Sequence, residues 1–83
     1  MKAKSIEKII DKIDEDHNTN DISQTCVRVI SKNGIEIKGL YSDNYPMDVV
    51  DDFLDMVDVD HFGNIYIDID EILAIKTKPA NNE

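Results

Sequence analysis

The chain has 83 residues, 41% hydrophobic and 33% charged, with a net charge of −9. That is enough chain for one domain, 1–83, too apolar for a disordered polymer and without an apolar run long enough to span a membrane. Its charge speaks against a nucleic-acid backbone or an anionic membrane as direct ligand, and for a basic protein surface or a cation.

Residues 3–16 are expected to form a helix. Ile6, Ile9, Ile10 and Ile13 fall at i, i+3, i+4, i+7, which gives one apolar stripe. Like-charged pairs such as Glu7/Asp11 and Lys8/Lys12 add little helix stability, so tertiary contact must hold this segment. The polar run His17 to Asp21 is expected to end it as a loop.

A β-rich barrel is expected over 25–77, with an acidic insert at 42–60 and a frayed tail at 78–83. Residues 25–31 and 35–41 are two β-branched runs around Asn33-Gly34, the dipeptide suited to a two-residue type I′ hairpin. That turn pairs Ile30 with Ile37 and Val27 with Leu40. Both faces of the ribbon then carry apolar side chains, as in a strongly curled sheet. Cys26, the single cysteine, is expected as a small core residue. It permits no intrachain disulfide and fits a reducing, cytoplasmic setting, with no apolar leader following Lys2 and Lys4.

Over 46–58 the residues support two periods. Asp48, Asp51, Asp52, Asp55 and Asp58 gather on one side of a helical projection, and Pro46 suits a first helical position. Val57-Asp58-Val59-Asp60 alternates like a strand. The expectation is a short helix near 46–52 and a strand near 53–59. His61 to Asn64 turns the chain, Ile65, Ile67 and Ile69 alternate as a half-buried strand, Asp70-Glu71 breaks it, and Ile72–Thr77 forms a last strand. The fold class is therefore α+β: an N-terminal helix and a curved antiparallel sheet of about five strands.

This order is similar to the Sm and Sm-like small barrels. Lys32-Asn33-Gly34, Glu36 and Gly39-Leu40 resemble the first Sm motif, and Asp43 with Met47-Asp48 lies near its Asp and Met-Asn positions, displaced by a residue or two. Ile67-Asp68-Ile69-Asp70-Glu71-Ile72-Leu73-Ala74-Ile75 resembles the apolar frame of the second. Where the family has an Arg-Gly pair for RNA this chain has Asp68-Ile69, and the family's Asn is Asp48. The resemblance implies a ring-forming barrel without the RNA-contacting chemistry. A generic SH3-like barrel has similar spacing.

The charge is not spread evenly. Between Lys38 and Lys76 there is no Lys or Arg but ten of the 18 carboxylates, leaving 8 against all 9 bases elsewhere. A one-sign carboxylate surface attracts a basic partner and can imitate nucleic-acid phosphates. The expected binding residues are Asp48, Asp51, Asp52, Asp55, Asp58 and Asp60, and the expected partner is a basic protein such as a nucleic-acid-handling enzyme. Small acidic inhibitors carried by phages and plasmids are similar in composition. Self-association is also expected, since so short a chain buries a marginal core.

Other chemistry is less well supported. Asp58, Asp60, Gly63 and Ile65 fit the first, third, sixth and eighth positions of a calcium loop, but Phe62 and Ile69 occupy ligand positions five and twelve. A degenerate calcium module ranks below a plain acidic turn. Two histidines and one cysteine make a poor zinc set, and the three glycines are isolated, so no phosphate loop is present. No metal, cofactor or catalytic residue is expected, and the chain reads as a non-enzymatic interaction protein, with an Sm-like ring binding a small ligand as the alternative.

Overall fold

The computed structural model describes residues 1–80. One helix, α1 (Ala3–Asn20), precedes β1 (Gln24–Ser31), β2 (Glu36–Ser42), β3 (Asp48–Val50), β4 (Phe53–Asp58) and β5 (Asn64–Asp68). A 3₁₀ turn, Ile69–Glu71, leads into β6 (Ile72–Ala80). The α+β class read from the sequence holds. All pairings are antiparallel, and the ladder runs β3-β4-β2-β1-β6, with β5 on the other edge of β4. The sheet is open: no ladder joins β5 to β6 among the described residues.

Helix α1 runs four residues beyond the predicted end. Its apolar stripe continues one turn past Ile13 to His17, which is buried, so the polar-looking stretch 17–20 is helical. Asp21 then stops the helix in the left-handed conformation at φ 55° and donates its N–H to the His17 carbonyl, a short polar side chain being tolerated there. At about 1.5 Å per residue the helix is about 27 Å long, and it lies over the inner face of the sheet. Ile6 and Ile13 pack with Val27 and Val29 of β1, Leu54 and Met56 of β4, Ile67 and Ile72. At its start the Met1 ammonium donates to the carbonyls of Ile69 (2.8 Å) and Ile72 (3.0 Å).

The first hairpin forms where expected, with a different turn. Ser31 donates its N–H to the Ile35 carbonyl, and Gly34 donates to the Ser31 carbonyl. The loop is therefore three residues, Lys32-Asn33-Gly34, with Gly34 alone at positive φ, 85°. A three-residue loop ending in a left-handed glycine competes with the two-residue type I′ form. It moves the pairing by one residue: Val29 opposes Ile37 and Val27 opposes Gly39. This register puts Thr25, Val27, Val29 and Ser31 on the buried face and turns Cys26 outward, so Cys26 is exposed rather than in the core.

The segment 46–52 is not helical. It forms β3 and a two-residue turn, Asp51-Asp52, with Val50 opposing Phe53 and Asp51 at φ 53°. β-branched Val49-Val50 favours the pleat, and Asp tolerates the left-handed turn position. The strand expected at 53–59 is β4. The last strand continues through Lys78-Pro79-Ala80, where Ala80 pairs with Gln24; a proline is accepted because β6 is an edge strand. Only residues 81–83 of the predicted tail remain, and they lie outside the described residues.

Candidate functional site

Alternation along β3, β4 and β5 sends Val49, Leu54, Met56, Ile65 and Ile67 inward and leaves Asp48, Val50, Phe53, Asp55, Tyr66 and Asp68 on the outer face. Register then decides neighbours. Asp48 stands directly across from Asp55, and Asp55 across from Tyr66. In the next row Val50 faces Phe53, and Phe53 faces Asp68. Phe53 is 44% exposed and Tyr66 63%, unusually open for rings on a sheet. The surface is thus three carboxylates interleaved with two aromatic rings and a valine. Asn64 donates its side-chain amide to Asp55 Oδ1 at 2.6 Å, which fixes that carboxylate on the face.

Of the six carboxylates singled out by sequence, the structure brings Asp48 and Asp55 side by side. Asp51 and Asp52 occupy the exposed β3–β4 turn at one end of β4. Asp58 and Asp60 sit at the other end, about 20 Å away at roughly 3.3 Å per residue. There Asp58 accepts the His61 N–H through its backbone carbonyl, and Asp60 Oδ1 accepts the Phe62 N–H at 3.0 Å. The surface divides into a face with its adjoining turn and a separate loop. Asp68, outside the predicted set, joins the face; the signal for it was its place in the Tyr66-Asp68 alternation.

A second surface of opposite sign escaped the sequence reading. On the outer face of β2, β1 and β6, Lys38 opposes Arg28 and Arg28 opposes Lys76, while Cys26 opposes Lys78. Cys26, Arg28, Lys76, Thr77 and Lys78 line an open groove of about 410 Å³. Arg28 pairs with Glu36 at 3.4 Å, both side chains half exposed, an arrangement worth about 0–1 kcal/mol. Among the described residues Lys38, Lys76 and Lys78 have no carboxylate within salt-bridge distance. The one-residue shift of the hairpin and the long-range β1–β6 ladder create this row, and neither is visible in local periodicity.

A buried polar cluster fastens the end of α1. His17 is 4% exposed; its Nδ1 meets Asp43 Oδ1 at 3.1 Å and its Nε2 meets Thr25 Oγ1 at 2.8 Å. Tyr41 stacks edge-on against the imidazole at 4.9 Å and donates its hydroxyl to Asp14 Oδ1 at 3.1 Å. Burial first, then the bond to Asp14 and the charges of Asp14, Asp43 and Asp11, push the Tyr41 phenol up to about 12. Carboxylate, imidazole and hydroxyl stand in the order of a nucleophile-activating triad. Thr25 is only 3% exposed, however, so its hydroxyl offers no approach to a substrate, and the cluster ties α1 to the starts of β1 and the 43–47 loop.

Among the described residues no three His, Cys, Asp or Glu side chains are placed to hold a metal ion, and no helix is long and apolar enough to cross a membrane. No family model, curated protein or solved structure matches the chain.

Proposed function

We propose that this protein is a non-enzymatic interaction module whose acidic outer face binds a basic protein surface, as an inhibitor or adaptor of a nucleic-acid-handling protein would. The observation that carries the reading is the direct opposition of Asp48 and Asp55 beside exposed Phe53 and Tyr66. Like charges placed opposite one another across a ladder oppose folding, a cost set here against local bonds from the Val49 N–H to Asp48 Oδ1 and from the Asn64 amide to Asp55 Oδ1. Carboxylates around open aromatic rings suit Lys and Arg, which take ion pairs from the acids and cation–π contact from the rings. Asp51 and Asp52 extend the same field at the turn. Asp58 and Asp60 would steer a partner at longer range.

The fold reading that goes with this is a small barrel of the Sm or SH3-like kind, with β3 as an addition. It is supported by the leading helix, by β1 pairing with both β2 and the final strand, and by the 3₁₀ turn just before that strand. A ring of copies is the second reading, favoured by the edges of β5 and β6 that no strand among the described residues pairs.

The test is association rate against ionic strength with a partner captured from the source cell. Changing Asp48, Asp55 and Asp68 to Asn should slow association and flatten its salt dependence while leaving the circular dichroism unchanged. Identical rates and slopes for wild type and variant would make the acidic face a solubility coat.

A further inference from the structure

The molecule carries two like-charge rows on the outside of one sheet. Lys38, Arg28 and Lys76 stand in register across β2, β1 and β6. Asp48 and Asp55 stand in register across β3 and β4, with Asp68 two residues along β5 from the third position of that row, Tyr66. Each row places like charges on neighbouring strands, which opposes folding. Both rows have the same pitch, about 4.8 Å between strands. They lie on different strand triplets of a curled sheet, and no salt bridge joins them within one molecule among the described residues.

Resting on the reading that the acidic face takes a basic surface, we propose that one occupant of that face is the basic face of a second copy of this chain, giving a head-to-tail association. Seen from Asp48 and Asp55, the second copy offers Lys38, Arg28 and Lys76 at matching spacing. Arg28 is the member able to lie over Phe53 or Tyr66 while its guanidinium pairs with a carboxylate. Made once per pair of copies, such a contact leaves one free patch of each sign and so adds further copies, in a line or a ring.

Magnitude sets the regime. A three-stranded face spans roughly 15 by 20 Å, well below the area of a standard stable interface. The association is therefore weak and appears at high protein concentration. The net charge of −9 opposes it at very low salt. Contact pairs about 4 Å apart keep their attraction when long-range repulsion is screened at about 0.1 M, and lose it near 1 M. Association should pass through a maximum between these limits.

Sedimentation equilibrium on the full chain at up to about millimolar concentration tests this, with two charge-reversed variants. Arg28→Glu/Lys76→Glu removes the basic face, and Asp48→Lys/Asp55→Lys removes the acidic one; circular dichroism verifies folding, and the Gln and Asn versions stand in for a reversal that does not fold. Wild type should exceed the dimer mass with rising concentration. Each variant alone should stay monomeric, since its remaining face meets a partner of the same sign. Their equimolar mixture should associate, and with the neutral versions, Arg28→Gln/Lys76→Gln and Asp48→Asn/Asp55→Asn, in which only the two intact faces are complementary, it should stop at a one-to-one dimer. A monomeric wild type, or variants that associate like wild type, would overturn the proposal and in the latter case point to edge-strand pairing. A mixture that stays monomeric would overturn it too. A Lys/Arg-rich peptide separates that failure from failure of the functional reading: if the peptide still binds wild type and not Asp48→Lys/Asp55→Lys, the acidic face has a foreign partner and only the second copy is wrong.

Discussion

The two halves of this sheet share one core and differ outside it. In β2–β1–β6 the buried apolar side chains include Val27, Val29, Leu40, Tyr41 and Ile72; in β3–β4–β5 they include Leu54, Met56, Val57 and Ile67. Both halves are antiparallel and both contribute to one apolar cluster. Their solvent faces carry opposite charge. The core therefore cannot be the reason for the segregation, because the same burial would be satisfied by mixed charges on either face. What the contrast teaches is that the seam between the halves belongs to folding, whereas the sign of the outer rows is not set by the core, which is the ground for the recognition role proposed for them.

That seam is where the largest effect is expected. β2 meets β4 at Gly39–Asp58 and Leu40–Val57, and a Cβ on Gly39 would stand 2.5 Å from Met56 Sδ. Met56 is fully buried. Met56→Ala should cost about 2–5 kcal/mol through lost burial and a cavity. Gly39→Ala alone should cost about 1–3 kcal/mol by overpacking. In the Met56→Ala background the added methyl finds room, so Gly39→Ala should become neutral or stabilising. Denaturant melts of the four proteins measure the coupling, and additive losses would mean the halves do not meet as described.

A smaller effect separates the two hairpin tips. Gly34, in the basic half, sits at φ 85° with no atom near its missing Cβ, while Gly63, in the acidic half, has open space and no such φ. Gly34→Val should destabilise by about 1–2 kcal/mol through backbone strain alone. Gly63→Ala should shift stability by no more than about 0.5 kcal/mol. Equal melting midpoints for the two variants would contradict the three-residue loop.

These tips also show what the sequence could convey. The Asn33-Gly34 turn and the Ile stripe of α1 were legible because local composition and period define them. Register was not, because Lys32-Asn33-Gly34 serves a two-residue or a three-residue loop equally well in sequence; burial of Val27 and Val29 decides between them. His17 looked like loop because its partners, Thr25 and Asp43, reach it only in the fold. The segment 46–58 misled for a specific reason. Two strands with outward Asp48 and Asp55, joined by turn residues Asp51 and Asp52, reproduce the spacing of a helical face. Of the candidate site, the acids were legible as a segment, whereas their division and the basic counterpart depended on long-range pairing.

The smallest effect at ordinary pH concerns Tyr41, where α1 joins the basic half. Its phenol rises from an ordinary value of 10.0 to about 12, so the folded state favours the neutral form. The resulting stabilisation is complete below pH 10, and is lost as pH rises towards 12. Ultraviolet titration should show an ionisation step near pH 12 that Tyr41→Phe abolishes, and the variant should lose less stability over that range. A titration unchanged by the substitution would place Tyr41 outside the cluster.

The most direct measurement of the central claim is an amide chemical-shift titration with a short Lys/Arg-rich peptide. Two acidic regions compete for it: the outer face of β3–β4–β5, and the exposed side of α1 with Glu7, Asp11 and Glu15. Shifts should concentrate at Asp48, Phe53, Asp55, Tyr66 and Asp68 and disappear near 1 M salt. Equal shifts along α1, or diffuse shifts over all exposed carboxylates, would show that charge density alone attracts the peptide and that the ordered acidic face is not a binding site.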